Sequence, residues 1–140
     1  MADIVKEAIG EDIYVKFIEE KKLIPTAYFL KRNKNKLEDE FLVTNGDTIS
    51  ELNLTEFIEF HMIKNCIATV FTKDDAIHTG GTYIFDKEVL KYIRKDMDIS
   101  DLMQVLIDKK IPINLFYSDA QYFDTATLKK LAIARRYYEK

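Results

Sequence analysis

Two hydrophobic patterns alternate along the chain. Short runs of β-branched, aromatic and aliphatic residues predict strands, whereas apolar residues spaced three or four apart predict amphipathic helices. The strands are expected at residues 13–18, 41–44, 67–72, 82–85 and 113–117. The helices are expected at residues 3–9, 27–36, 53–65, 86–93, 100–109 and 127–139.

The helical patterns are preceded by polar residues that suit helix starts. Asp86 and Ser100 each stand where a cap is expected, and Asn53 or Thr55 can start the third helix. The last helix is expected to begin at Thr127, with Asp124 or Thr125 as a possible cap.

Strands that alternate with helices predict an α/β fold. Parallel strands need long crossover connections, which helices supply, so we expect a three-layer architecture with a mostly parallel sheet and helices on both faces. The run at 41–44 is apolar throughout and fits a buried parallel strand. No repeat or linker divides the sequence, so residues 1–140 are expected to form a single domain.

Composition excludes several broad classes of protein. Hydrophobic residues make up 47% of the chain, which is enough for a core and excludes global disorder. No apolar run approaches the roughly 20 residues that cross a bilayer. The formal net charge is −3, so the chain as a whole does not attract nucleic acid, and no specific nucleic-acid partner is expected. The single cysteine and the acidic start without a signal peptide predict a cytoplasmic protein.

Two acidic residues stand near expected strand ends, where α/β sheets bind their ligands. Asp47 follows Asn45 and Gly46, and Asp124 follows an aromatic pair. Carboxylates at such places can bind Mg²⁺ together with phosphate oxygens and water. Each also has a purely structural interpretation, because Asn-Gly is a strong turn signal and aspartate commonly caps helices.

Taken together, these segments resemble the motifs of sugar-1-phosphate nucleotidyltransferases, which have a nucleotide-diphospho-sugar transferase fold. Residues 41–48, Phe-Leu-Val-Thr-Asn-Gly-Asp-Thr, are similar to the family's strand that ends in Asn-Gly-Asp. Residues 122–127, Tyr-Phe-Asp-Thr-Ala-Thr, resemble its Trp-x-Asp-x-Gly-Thr motif. The resemblance implies that Asp47 and Asp124 are ligands of a catalytic Mg²⁺, and that Asn45 and Gly46 contact the substrate.

Two further segments extend the resemblance. Residues 78–85 begin His78, Thr79, Gly80 and look like the family's Asn-Thr-Gly-Gly segment, which touches the sugar. Glu19-Glu20 followed by Ile-Pro-Thr-Ala at 24–27 is similar to the family's loop near the base. The resemblance therefore implies substrate contacts at His78, Thr79, Gly80, Thr26 and Ala27.

The resemblance covers only the later part of the family's catalytic domain. Family members open with a Gly-rich signature that cradles the triphosphate, and no such run occurs here. We therefore expect a truncated nucleotidyltransferase-like protein with a Mg²⁺-dependent site for a nucleotide or sugar phosphate, inactive or incomplete as a lone chain. A homo-oligomer or a partner chain is expected to cover the missing region. The alternative is a non-catalytic binding or assembly module derived from the same fold.

Two other features have open interpretations. His61 lies on an apolar helix and is expected to be a partly buried structural residue. The basic run at residues 31–36 suits a solvated helix end, and a phosphate or nucleic-acid contact is the alternative.

Overall fold

The computed structural model describes residues 2–9, 15–64, 66–73 and 79–139. The helices are α1 (Ala2–Ile9), α2 (Thr26–Arg32), α3 (Leu54–Ile63), α4 (Ile99–Asp108) and α5 (Leu128–Tyr138), with 3₁₀ turns at Lys34–Lys36 and Lys87–Tyr92. The strands are β1 (Glu40–Thr44), β2 (Thr48–Ser50), β3 (Ala68–Thr72), β4 (Thr79–Asp86), β5 (Asn114–Tyr117) and β6 (Tyr122–Asp124). Within these described ranges, every helix is too short or too polar to cross a membrane.

The main sheet has the strand order β1-β4-β3-β5. β4 pairs antiparallel with both β1 and β3, and β3 pairs parallel with β5. The predicted α/β class is confirmed, and three of the four strands run in one direction. The expectation of mainly parallel pairing is wrong, because the reversed β4 lies between β1 and β3. Only residues 73–78 connect β3 to β4, and a parallel crossover needs a dozen residues or more.

β1 is an edge strand, not the fully buried strand that its apolar run predicted. Its residues alternate between exposed and half-buried along the strand. Phe41 and Val43 pack against the main core, whereas Leu42 is 38% exposed on the other face. β3, in contrast, is buried at every position.

Helices cover both faces of the main sheet, as predicted. Successive strand residues face opposite sides, so Val70 and Phe85 point into a main core that α2, α4 and the second 3₁₀ turn close. Phe71 and Ile84 point the other way and pack with Phe57 of α3 in a second, smaller core. The three-layer arrangement is thereby confirmed.

Several predicted boundaries shift for local reasons. α4 begins at Ile99, two residues before the position implied by a cap at Ser100, because Asp98 is the cap residue. Asp86 does accept a hydrogen bond from the backbone N–H of Glu88, but it starts a 3₁₀ turn. Asn53 and Thr127 cap α3 and α5.

The strand predicted at 13–18 is not found in its described part. Residues 15–18 form no strand, and Val15 and Phe17 are 41% and 43% exposed. A strand needs a partner to satisfy its backbone groups, and none of the described strands pairs with this segment. Residues 10–14 lie outside the described ranges.

His61 connects α3 to the sheet and is the main buried titratable group of the described residues. Its imidazole is 4% exposed, its Nδ1 lies 2.7 Å from the Thr69 hydroxyl and its Nε2 lies 3.7 Å from a Glu40 oxygen. Burial lowers the pKa of His61, and the carboxylates of Glu40 and Asp86 offset part of that shift. The predicted structural role is consistent with these contacts.

We expect the protein to lose stability as the pH falls below about 6.5, the ordinary histidine pKa. In that range the unfolded chain binds a proton at His61 before the folded chain does, so acid favours unfolding. Urea unfolding at several pH values between 5 and 8 measures the slope, and His61→Gln should reduce it. An identical slope in both proteins would mean that His61 does not contribute.

Candidate functional site

The predicted Asn-Gly-Asp segment forms one wall of a cleft of about 780 Å³, which we call the main cleft. Residues 45–47 follow β1, and Ile24, Thr26 and Phe29 form the facing wall. β1, β3 and β5 run in the same direction, so their carboxyl ends share one edge of the sheet. The cleft therefore lies where ligands of α/β sheets bind, despite the reversed β4.

A small second sheet brings the segments of the two predicted metal ligands together. β2 and β6 pair antiparallel with Thr48 opposite Asp124. The ladder is extended by Thr125, whose backbone N–H and hydroxyl donate to the Asp47 carbonyl oxygen at 2.7 and 2.8 Å. The segments that carry Asp47 and Asp124 therefore lie side by side, one register position apart, although 77 positions of sequence separate the two residues.

The Asp124 carboxylate is held by groups of its own segment. It accepts a hydrogen bond from the Ala126 N–H at 2.8 Å and forms an ion pair with Lys130. These two contacts lower the pKa of Asp124, so the carboxylate is ionised at neutral pH. The group is 46% exposed and is not among the described residues that line the main cleft.

The glycine pair of the predicted sugar segment lies against Asn45. The Asn45 N–H donates to the Gly81 carbonyl oxygen at 3.0 Å. Gly81 has φ +70°, and a Cβ there would lie 2.6 Å from Asn45 Nδ2. Gly80 is packed instead against Phe71, where a Cβ would lie 2.4 Å from the ring. Thr79 begins β4, and His78 lies outside the described residues.

Thr26 and Ala27, predicted to contact substrate, differ in position. Thr26 lines the main cleft, but its hydroxyl and backbone N–H both donate to Asp98 Oδ1, at 3.1 and 2.8 Å. Its hydroxyl oxygen also accepts from the Ile99 N–H, so Thr26 joins α2 to the start of α4. Ala27 is fully buried in the main core, and its methyl group does not reach the cleft.

The residues present suit a hard, oxygen-binding cation that keeps other ligands. Mg²⁺ commonly takes one or two carboxylates and completes its shell with water and phosphate oxygens. Asp47 and Asp124 are the two predicted carboxylates: Asp47 lines the main cleft, and Asp124 pairs with Lys130 beside it in the second sheet. No cluster of three or more acidic, histidine or cysteine side chains suited to a metal occurs within the described ranges, which does not favour a site built from protein ligands alone.

Sequence reasoning did not find the β2–β6 pairing that joins the two acidic segments. Each strand has only three residues, too few for a hydrophobic period to be detected. It also missed Phe29 and Ile24 as cleft residues, because their apolar character predicts a core position equally well.

Comparisons with known proteins place this geometry in context. No protein-family model matches the chain. It is 26% identical over 123 residues to a UTP–glucose-1-phosphate uridylyltransferase from Synechocystis sp., an alignment that covers 62% of this chain and 32% of the relative. The chain therefore spans about a third of the length of that curated relative.

Solved structures share the fold closely. HddC from Yersinia pseudotuberculosis matches with a TM-score of 0.74 and 20% identity, over 97% of this chain and 73% of HddC. A candidate glucose-1-phosphate thymidylyltransferase from Bacillus anthracis, solved with sucrose, matches with a TM-score of 0.71 and 16% identity, over 84% and 62%. The chain has a nucleotidyltransferase-like fold. The resemblance seen in its motifs is confirmed at that level, and the roles of individual residues in this nucleotidyltransferase-like chain stay predictions.

Proposed function

We propose that the chain binds a nucleotide or a sugar phosphate in the main cleft, with Mg²⁺ held by Asp47 and Asp124. The observation that supports the proposal is the β2–β6 pairing, in which the segments that carry Asp47 and Asp124 lie side by side, with Asp47 in the wall of the main cleft. The fold is that of proteins named for nucleotidyl transfer, and one HddC structure was solved with GMP-PN.

The protein's own residues have separate tasks in this proposal. Gly46 has no atom within 4 Å of its would-be Cβ, so a ligand can approach the backbone there. Asn45 lines the main cleft with its backbone N–H bonded to the Gly81 carbonyl oxygen, and Asp47 supplies negative charge in the same wall. When bound, Mg²⁺ would neutralise phosphate charge at these residues. Lys130 competes with a cation for Asp124, because it already pairs with that carboxylate.

The reaction implied by the fold joins a sugar 1-phosphate to a nucleoside triphosphate. A phosphate oxygen of the sugar phosphate attacks the α-phosphorus, the bond to the β-phosphate oxygen breaks, and pyrophosphate leaves. Transfer depends on positioning and charge stabilisation, and the 140 residues contain no Gly-rich phosphate loop. We therefore propose that this chain alone binds ligand but turns it over poorly, since losing even one such electrostatic element costs about 10²–10³ in rate.

A non-catalytic assembly module is the second candidate. The Asp124–Lys130 pair favours it, because that contact satisfies the carboxylate without a metal. The position of β1 at the end of the sheet also favours it, since an edge strand offers unpaired backbone groups to a second copy or to a partner chain.

Asp47→Asn should abolish Mg²⁺-dependent nucleotide binding measured by calorimetry. The substitution keeps the size of the side chain but removes the charge that a cation needs. Asp39→Asn is the matched control. Asp39 directly precedes β1, at the other end of that strand from Asp47, and its carboxylate is fully exposed. The control should bind like the unmodified protein.

The metal site and the assembly module predict different binding results for these variants. Binding that Asp47→Asn removes and Asp39→Asn retains supports the metal site. Binding unchanged in both variants, or no Mg²⁺-dependent binding to the unmodified chain, contradicts it and favours the assembly module. Pyrophosphate release by the isolated chain at ordinary enzyme rates would contradict the proposed need for a further phosphate cradle.

A further inference from the structure

A second cavity adjoins the main cleft and is lined by cations that the proposed function does not use. It measures about 470 Å³, and we call it the basic chamber after Lys21, Lys22 and Arg32 in its wall. The basic chamber and the main cleft share the side chains of Ile18, Glu20, Ile24 and Phe29. A ligand long enough to pass these shared residues would reach from Asp47 to the three cations.

The cations of the basic chamber are not paired with other described side chains. Within the described ranges, the side chains of Lys21, Lys22 and Arg32 take part in no ion pair or hydrogen bond. Of the two glutamates in the wall, Glu19 is already paired with Lys6 at 3.4 Å. Among the described residues that line the chamber, three cations therefore lie beside one carboxylate, Glu20, that pairs with no described cation, and their summed charge is positive.

The cations of the basic run at residues 31–36 lie in three different environments. Lys31 donates from Nζ to the Ile93 carbonyl oxygen at 2.6 Å and so holds α2 to the core. Arg32 turns to the basic chamber. Lys34 and Lys36 are exposed and line neither cavity. Of these cations, Arg32 is therefore the one placed to meet a ligand that extends from the main cleft.

We propose that the basic chamber is a phosphate subsite, which takes a second phosphate group of the ligand whose first phosphate lies beside Asp47. This inference rests on the proposed function and narrows its ligand to a molecule with two separated phosphate positions. A guanidinium and two ammonium groups suit phosphate oxygens, the guanidinium through paired N–H donors. The second phosphate belongs either to the polyphosphate chain of a nucleotide or to a sugar with two phosphates.

The test compares two variants that lose the same charge. Lys21→Gln/Arg32→Gln removes two cations of the chamber, and Lys34→Gln/Lys36→Gln removes two exposed cations nearby that do not line it. Affinity for inorganic pyrophosphate is measured by calorimetry in EDTA at low salt, so that Asp47 and Mg²⁺ play no part. The chamber variant should bind about tenfold more weakly, and the control should change less than about twofold.

A second arm identifies the source of the phosphate. With Mg²⁺ present, GTP is compared with GMP, and glucose 1,6-bisphosphate with glucose 1-phosphate. A selective loss for GTP in the chamber variant supports a polyphosphate ligand, and a selective loss for the bisphosphate supports a sugar ligand. Equal losses in the chamber and control variants, or no loss for pyrophosphate, GTP and the bisphosphate, overturn the subsite.

The experiments distinguish failure of the metal site from failure of the phosphate subsite. If Asp47→Asn leaves nucleotide binding unchanged while the chamber variant loses pyrophosphate affinity, the metal site is wrong and the subsite stands. If Asp47→Asn abolishes binding while the chamber variant behaves like its control, the subsite is wrong and the metal site stands. Both pairs of substitutions change exposed side chains, so unchanged thermal unfolding verifies that each variant is folded.

Discussion

Phe71→Ala should lower the free energy of unfolding by about 3–5 kcal/mol. Phe71 is fully buried in the second core, which also contains Phe57, and its ring centroid lies 6.0 Å from that of Tyr122. Tyr122 belongs to β6, so the loss of this ring loosens the pairing that brings Asp124 to Asp47. Denaturant unfolding gives the loss of stability.

A double-mutant cycle with Gly80 tests the packing itself. Gly80→Ala alone should cost about 1–3 kcal/mol, because its Cβ would lie 2.4 Å from the Phe71 ring in a packed core. In the Phe71→Ala protein that ring is gone, and the added methyl group should cost little or restore stability. Phe17→Ala is the control, since Phe17 is 43% exposed and its loss should cost about 0.5 kcal/mol or less.

Two results would contradict this description of the second core. The first is a Phe71→Ala loss as small as that of Phe17→Ala. The second is an equal cost of Gly80→Ala with and without the Phe71 ring, because residues in direct contact should show a coupling of about 0.5–3 kcal/mol.

The parts of the fold that were predicted correctly are those in which local pattern and tertiary environment agree. β3 is a run of β-branched and apolar residues, Ala-Thr-Val-Phe-Thr, and it is buried on both faces. α3 follows Asn53, one of its two predicted start residues, whose side chain accepts a hydrogen bond from the Thr55 N–H. α5 lies where it was predicted, but the prediction of Asp124 or Thr125 as its cap is wrong, because Thr127 accepts the hydrogen bond from the Lys130 N–H. A local pattern is enough at such places, because the free backbone N–H groups at a helix start need a partner wherever the helix lies in the fold.

The wrong strand predictions concern features that depend on how the strands pair with one another. The direction of β4 depends on the short connection at 73–78, and its length was readable in the sequence but was not weighed against the helix–strand alternation. The β1 run is as apolar as that of β3, yet β1 lies at an edge because the described strands give it one neighbour only. Apolar character alone does not distinguish a central strand from an edge strand.

The candidate site was also predicted only in part. Asp47 and Asp124 were selected by their positions near strand ends and by the resemblance, and the fold does make their segments neighbours. The partner of Thr26 could not be inferred, because Asp98 lies 72 residues away and its role as the α4 cap residue was not recognised. The basic chamber was also invisible, since an exposed lysine or arginine has the same local pattern whether it faces a cavity or open solvent.

Gly81→Ala should lower the free energy of unfolding by about 1–2 kcal/mol from backbone strain alone, because Gly81 has φ +70° and an L side chain is disfavoured there. The added methyl group would also lie 2.6 Å from Asn45 Nδ2, so the amide must rotate away. We therefore expect a combined defect, in which stability falls and the Asn45 side chain in the wall of the main cleft is displaced. Denaturant unfolding and nucleotide calorimetry measure the two parts.

Gly46→Ala is the matched control on the other side of Asn45. A Cβ at Gly46 meets no atom within 4 Å and no positive φ is required there, so alanine should change stability by less than about 1 kcal/mol. In the Asn45→Ala protein the contact with Gly81 is removed, and Gly81→Ala should then cost only its backbone strain. If Gly81→Ala and Gly46→Ala lower the free energy of unfolding equally, neither the positive φ of Gly81 nor its contact with Asn45 resists a side chain at that position.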